Sequence, residues 1–446
     1  MPLGGGWGVG LRAFSAGEIL LREDTVALLH KNVLGMKCVL CGAEYPMDEN
    51  PYVCPRHGNE GILDVVYDYA YIRARWPRES LAKDLMPSIW RYLPLLPVAN
   101  KAAIPPLPVG WTPLYSAQRL REQLGLRDLW IKDDGRNPTA SFKDRASAVG
   151  VARARELGRP IMTAASTGNA ASSLAGIAAS VGMTTYIFVP ETAPQAKIAQ
   201  LLVFGANVIM VRGTYDQAFD LCLEASARYG WYSRNTAYNP YLSEGKKTAS
   251  LEICEQLGWQ APDRIFVSVG DGCIIGGLWK GLKDLVALGW IDHMPKLMGV
   301  QAEGSAVLYN AWKAGTEEIT PIVPTTLADS ISVGIPRDRI KALRAVRETG
   351  GEYITVSDEE ILDAMRVLAR SAAVFGEPAG VAAFAGLQKM LAEGRINPDE
   401  KIVVLVTGNG LKDVASAIKA TGKPHLIDPT VGDLEALMRS LGHAAR

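Results

Sequence analysis

Short β-branched or apolar runs alternate with Ala-rich helical stretches along most of the chain. "DLWIKDD", "PIMTAAS", "TTYIFVP", "NVIMVRG", "RIFVSVG", "KLMGVQAE" and "KIVVLVTG" have strand length and near-continuous apolar character, as strands covered on both faces require. Between them, "ASAVGVARAREL", "AASSLAGIAASVG", "QAKIAQLLVFG", "YDQAFDLCLEASARYG" and "GGLWKGLKDLVALG" read as helices. Strict alternation predicts an α/β fold with parallel sheets. Three strand ends run straight into polar or glycine turns followed by a helix: "PIMTAASTGNAASS", "RIFVSVGDGCIIGG" and "KIVVLVTGNGLKD". Ligands of open parallel sheets bind at the carboxyl ends of strands, so these turns are the candidate site.

Ahead of this pattern the text changes. "MKCVLCGAEYPMDENPYVCPRHGNEG" places Cys38-x-x-Cys41 and Cys54-x-x-His57 twelve residues apart, two knuckles of metal-ligand spacing. Either these four residues hold zinc or the module is a hairpin whose thiols are small buried apolar groups. Prolines then punctuate "RARWPRESLAKDLMPSIWRYLPLLPVANKAAIPPLPVGWTPL", which reads as short helices and an extended connector.

Length and charge narrow the function. A chain of 446 residues is too long for one ordinary core. Lys+Arg and Asp+Glu are both 47, so nothing in the totals favours nucleic acid or an anionic membrane, and a small partner is expected. No apolar run approaches the roughly 20 residues of a membrane helix. The start lacks a basic segment followed by a continuous apolar one, and the six cysteines form no disulfide framework; a cytoplasmic location is expected.

Each turn has a bland and a chemical reading. "GDGCIIGG" offers backbone N–H groups at a helix start, a seat for phosphate or merely a tight turn. Its glycines are spaced G-x-G-x-x-x-G, a poor dinucleotide fingerprint, which disfavours a nicotinamide oxidoreductase. Ser166, Thr167 and Asn169 in "STGNAASS", and Thr407 in "TGNG", either hold polar ligand groups or cap helices. Lys143 in "RNPTASFKDRAS" opens a helix, where a cation is unfavourable. A helix start would also lower its pKa, as a Schiff-base amine needs.

Taken in order, "NPTASFKDR", "STGN", "NPYLSEGKKTASLEICEQLG", the glycine loop, "TLADSISVG", "EPAG" and "TGNG" resemble the fold-type II pyridoxal-phosphate enzymes, threonine synthase and its relatives above all. The resemblance runs from about residue 36 to the end. It implies two parallel-sheet domains with pyridoxal 5'-phosphate between them, preceded by a zinc-ribbon-like module. The implied division is 1–35 extension, 36–68 ribbon, 69–108 connector, 109–145 with 240–446 large domain, and 146–239 small domain. Lys143 would form the Schiff base and act as acid and base. Gly270, Asp271, Gly272, Cys273 and Ile274 would hold the cofactor phosphate, Asn169 its ring hydroxyl and Thr407 its pyridine nitrogen. Ser166 and Thr167 would face the carboxylate of a small amino-acid substrate. An uncharged partner at the pyridine nitrogen favours elimination and replacement over transamination. A homodimer is implied as well.

Three departures bear on the reaction. Ala140 stands where the family motif has glycine, Asp271 where threonine synthases tend to have asparagine, and Leu242 where they have an arginine that contacts the substrate's phosphate. Losing a charge-assisted pair costs about 1.5 to 3 kcal/mol, so phosphohomoserine is expected to fit poorly unless Lys246 or Lys247 substitutes. The simpler reading of those two lysines is a solvated pair at a helix start. The expected activity is elimination or replacement on an amino acid, with threonine synthase proper and threonine or serine dehydratase as alternatives. An inactive ligand-sensing domain is disfavoured by the retained lysine.

Overall fold

The computed structural model describes residues 31–47, 52–193 and 195–442. The extension expected over 1–35 lies, up to residue 30, outside the described residues. Strands β1 (Val33–Cys38), β2 (Glu44–Tyr45) and β3 (Leu63–Tyr67) form an antiparallel sheet in the order β2-β1-β3. β3 alternates buried and half-buried residues, as a strand covered on one face must.

β4 (Leu114–Ser116) and β5 (Asp128–Asp133) begin the larger sheet. The chain then leaves it through helix Lys143–Glu156 and builds a second sheet from β6 (Ile161–Ala165), β7 (Thr184–Pro190), β8 (Asn207–Val211) and β9 (Tyr232–Ser233). It returns through helix Tyr241–Gln256 to β10 (Arg264–Ser268), β11 (Lys296–Ala302), β12 (Tyr353–Val356) and β13 (Lys401–Val406). The larger sheet has the order β12-β11-β10-β13-β5-β4, parallel except for β4 against β5; the smaller is β8-β7-β6-β9, all parallel. The α/β fold with parallel sheets is as expected.

The topology fixes where a ligand goes. From β10 the sheet grows one way through β11 and β12, while β13 lies on the other side, so the strand order reverses between β10 and β13. A reversal of this kind opens a crevice at the carboxyl ends of the two strands. The glycine loop follows β10 and "TGNG" follows β13.

The two connecting helices hold the sheets together. Residues Asp144 to Ala152 of the first are all buried, because it lies in the interior rather than on a surface. The second crosses it at backbone distance: a Cβ on Gly245 would lie 2.0 Å from the Arg145 carbonyl oxygen, so only glycine fits there.

Candidate active site

Lys143 is the first residue of its helix, and the strand-like segment before it pairs with the loop after β13. The Phe142 N–H donates to the Thr407 carbonyl (2.9 Å) and the Asn409 N–H to the Ala140 carbonyl (3.0 Å), which brings the lysine motif against "TGNG". The residues flanking the lysine are interior anchors. Asp144 accepts the Thr139 N–H at 2.6 Å. Arg145 pairs with Asp134 and Glu252, each at 2.6 Å, and Lys132 meets the same Glu252 at 2.8 Å, all fully buried. Ala140 has φ +64°, the left-handed region that favours glycine, so its methyl group costs about 1 kcal/mol.

Lys143, Asn169, Arg234, Lys246, Glu377 and Thr407 line one cleft with Gly270–Ile274. Gly272 adopts φ +88°, and a Cβ there would lie 2.6 Å from the Ala342 Cβ and 2.9 Å from the Asp338 carbonyl oxygen. The turn therefore exposes bare backbone at the start of helix Cys273–Leu288, whose first N–H groups have no intrahelical partner. Asp271 also lines the cleft, and its Oδ1 accepts the Arg337 backbone N–H at 3.3 Å. Burial pushes the Cys273 thiol up to about 12, so it stays neutral.

Burial, then the neighbouring cations Lys246 and Arg234, lowers Lys143 to about 8. The helix start invoked for this shift is secondary to desolvation. Asn169 donates from Nδ2 to Glu377 at 2.6 Å. Burial raises Glu377 to about 7 against the opposing pull of that hydrogen bond and of Lys412 and Lys143. Thr167 lines an adjoining opening with Lys197 and Lys412. Ser166 lines neither; its hydroxyl accepts the Gly168 N–H at 3.2 Å.

The two lysines of "EGKKT" are not a solvated pair. Both are buried, because helix Tyr241–Gln256 packs across helix Cys273–Leu288 at close range, with Gly277 against Lys246 and Gly281 against Lys247. Lys247 is consumed by Glu244 (2.7 Å) and Asp284 (2.6 Å). Lys246 faces the cleft. Leu242 is 1% exposed and lies beside Gly150, away from the cleft.

A second constellation lies in the small antiparallel module. One ligand atom each from Cys38, Cys41, Cys54 and His57 falls within 4.8 Å of the others. Cys41 and Cys54 sulfurs are 3.9 Å apart, and His57 Nδ1 lies 3.5 Å from Cys54 and 4.0 Å from Cys38. Tetrahedral bonds of about 2.3 Å to sulfur and about 2.0 Å to nitrogen imply ligand separations of roughly 3.5 to 3.8 Å. These four groups are close enough together that they could hold one metal ion.

Residues 106–408 match the sequence profile of the family described as pyridoxal-phosphate dependent enzyme. The chain belongs to this family. Among the relatives of this pyridoxal-phosphate enzyme is the threonine synthase of Methanocaldococcus jannaschii, 40% identical over 407 residues, 91% of this chain and 99% of that one. Another is the threonine synthase of Methanosarcina acetivorans, 41% identical over 398 residues, 89% and 96% of the two chains. Among solved structures, the processed threonine deaminase isoform 2 of Solanum lycopersicum superposes with a TM-score of 0.61 at 25% identity, over 70% of this chain and 87% of that one. Maize serine racemase, at 21% identity and a TM-score of 0.59, shares the fold.

The cleft fits the cofactor on physical grounds. A phosphate needs backbone amides that it can approach closely, which the turn at Gly270 and Gly272 offers, and a Schiff-base amine needs a depressed pKa, which Lys143 has. Sequence reasoning gave no role to Glu377 or Arg234. Glu377 sits inside the quoted "EPAG", but a glutamate before Pro378 at a helix start carries no sign of burial. Arg234 follows a two-residue strand too short to read from its pattern.

Proposed function

We propose that the protein is a threonine synthase, converting O-phosphohomoserine to threonine with release of phosphate. The observation that carries this reading is Lys143, an amine lowered to about 8, opposite the glycine seat in a chain aligned with threonine synthases over nearly their whole length. In this reading Lys143 anchors pyridoxal phosphate, the amides of Gly270 to Ile274 hold its phosphate, Asn169 its ring hydroxyl and Thr407 its pyridine nitrogen. Bound there, the cofactor supplies an electron sink that makes the Cα–H of an amino acid acidic.

The chain's own groups manage protons and water. Near neutral pH a useful fraction of Lys143 is free amine, able to take a proton from carbon and return it. Glu377, raised to about 7, is partly protonated and donates or accepts beside Asn169. Thr167, at the adjoining opening, faces the substrate carboxylate, with Ser166 behind it. We assign Cys38, Cys41, Cys54 and His57 to a structural zinc ion. A cytoplasmic homodimer with a small inserted domain over 146–239 completes the reading.

The likeness to the Solanum lycopersicum threonine deaminase favours a dehydratase as the second reading. Incubation of the purified holoenzyme with O-phosphohomoserine, threonine and serine separates the two. Phosphate release with formation of threonine is expected; ammonia from threonine without phosphate release from O-phosphohomoserine would replace the first reading with the second. Lys143→Ala should abolish the visible absorption of the cofactor and lower the rate by roughly 10³-fold or more.

A further inference from the structure

Six of the most buried large side chains are cations, and four of them are matched. Arg145, Lys132, Lys247 and Lys341 each hold a carboxylate oxygen within 3.1 Å. Arg234 and Lys246 are the exceptions, and both line the cleft. Arg234 donates from Nε to Ser147 Oγ (3.2 Å), while its Nη2 is buried without a hydrogen-bond partner. Lys246 makes no hydrogen bond or ion pair among the described residues. The acids nearby form no ion pair with either cation: Asp271 accepts the Arg337 amide, and Asp338, which burial pushes toward the neutral form, lies 3.6 Å from Lys341 with neither oxygen in a hydrogen bond. The Cys273 thiol is neutral.

Unpaired cations buried around one cleft are costly, and a bound polyanion offsets that cost. The cofactor's phosphate already has the amides of Gly270 to Ile274 at the start of a 16-residue helix. A second dianion is the species left to match Arg234 and Lys246. We propose that these two residues form a clamp for a phosphate monoester dianion, filled by the phosphate of the substrate itself, and so replace the arginine absent at position 242. This deepens the threonine synthase reading and rests on it.

The test compares Arg234→Met and Lys246→Met with wild type in two arms. In the first, calorimetry on the holoenzyme measures binding of the non-cleavable phosphonate isostere of O-phosphohomoserine, with homoserine as the control lacking phosphate. In the second, equilibrium dialysis of the apoprotein measures pyridoxal phosphate against pyridoxal. The phosphonate Kd should rise roughly 10- to 100-fold in each variant, with homoserine and both cofactor forms unchanged. Lys246→Arg should restore the affinity, which a purely structural role would not predict. Because an unpaired buried charge is removed, the apoprotein variants should melt no lower than wild type; Lys246→Gln serves as a second variant if Lys246→Met does not fold.

A raised Kd for pyridoxal phosphate but not pyridoxal upholds the clamp and assigns it to the cofactor's phosphate. Phosphonate and pyridoxal phosphate both bound within about twofold of wild type overturn it. The two proposals fail separately. A wild-type enzyme that binds the phosphonate but makes no threonine refutes the function alone, and one that makes threonine while the variants bind both the phosphonate and pyridoxal phosphate unaltered refutes the clamp alone.

Discussion

Lys143 gains its chemistry from what surrounds it rather than from its place in the helix. Its neighbours Asp144 and Arg145 are tied into the interior, so the amine is held in a desolvated cleft with two further cations. Capture of pyridoxal phosphate by the apoprotein should therefore speed up with pH through about 8 and then level off; a lysine of ordinary pKa would still be accelerating near 10. Glu377 shows the opposite linkage. Its proton is held more tightly in the folded state, about 7 against an ordinary 4.5, so this group lowers stability as pH rises across that window, by on the order of 3 kcal/mol. Glu377→Gln does not titrate, and urea midpoints of the apoprotein should show it gaining on wild type from about pH 4.5 to 7 and holding a constant advantage above. Gly272→Ala sets a Cβ 2.6 Å from Ala342 in a backbone conformation reserved for glycine. It should raise the Kd for pyridoxal phosphate by at least about tenfold, measured by dialysis.

At the scale of elements, the small antiparallel module is wired to the glycine loop after β10. Asp64 on β3 meets Lys341 at 3.1 Å. Lys341 meets Asp338, whose backbone N–H donates to the Asp271 carbonyl in the glycine loop at 2.9 Å. Tyr67 on the same strand donates to Glu244 at 2.7 Å, beside the buried Lys247. Cys38→Ser should leave less than about half an equivalent of bound zinc, lower the melting temperature, and weaken pyridoxal phosphate binding although the cleft itself is untouched. Unchanged cofactor affinity in a zinc-free protein would break the proposed connection. The long apolar strands were legible because burial on both faces writes itself as a continuous run. β4, β9 and β12, of three, two and four residues, were not, because so few residues carry no period.

For the molecule as a whole, the C-terminal helices carry an apolar stripe that nothing in the described chain covers. Val414, Ile418, Val431, Leu434 and Met438 are exposed, and helix Val431–Ser440 buries no residue at all. This surface suits the proposed homodimer. Light scattering should give twice the chain mass, and the double variant Leu434→Glu, Met438→Glu should give the monomer. The alternation of strands and helices, the turns at the strand ends, the spacing of Cys38, Cys41, Cys54 and His57, and Lys143 were all decided by the sequence itself, since each is a local pattern read over a few residues. Ala140 was visible there as a departure, but its left-handed backbone was not. Which lysine of "EGKKT" faces the cleft, the withdrawal of Leu242, and the arrival of Arg234 and Glu377 were decided only by the tertiary structure. Burial and ion pairing join residues far apart in the chain, and a pairing that sequence-local physics cannot see determines which charges remain free to act.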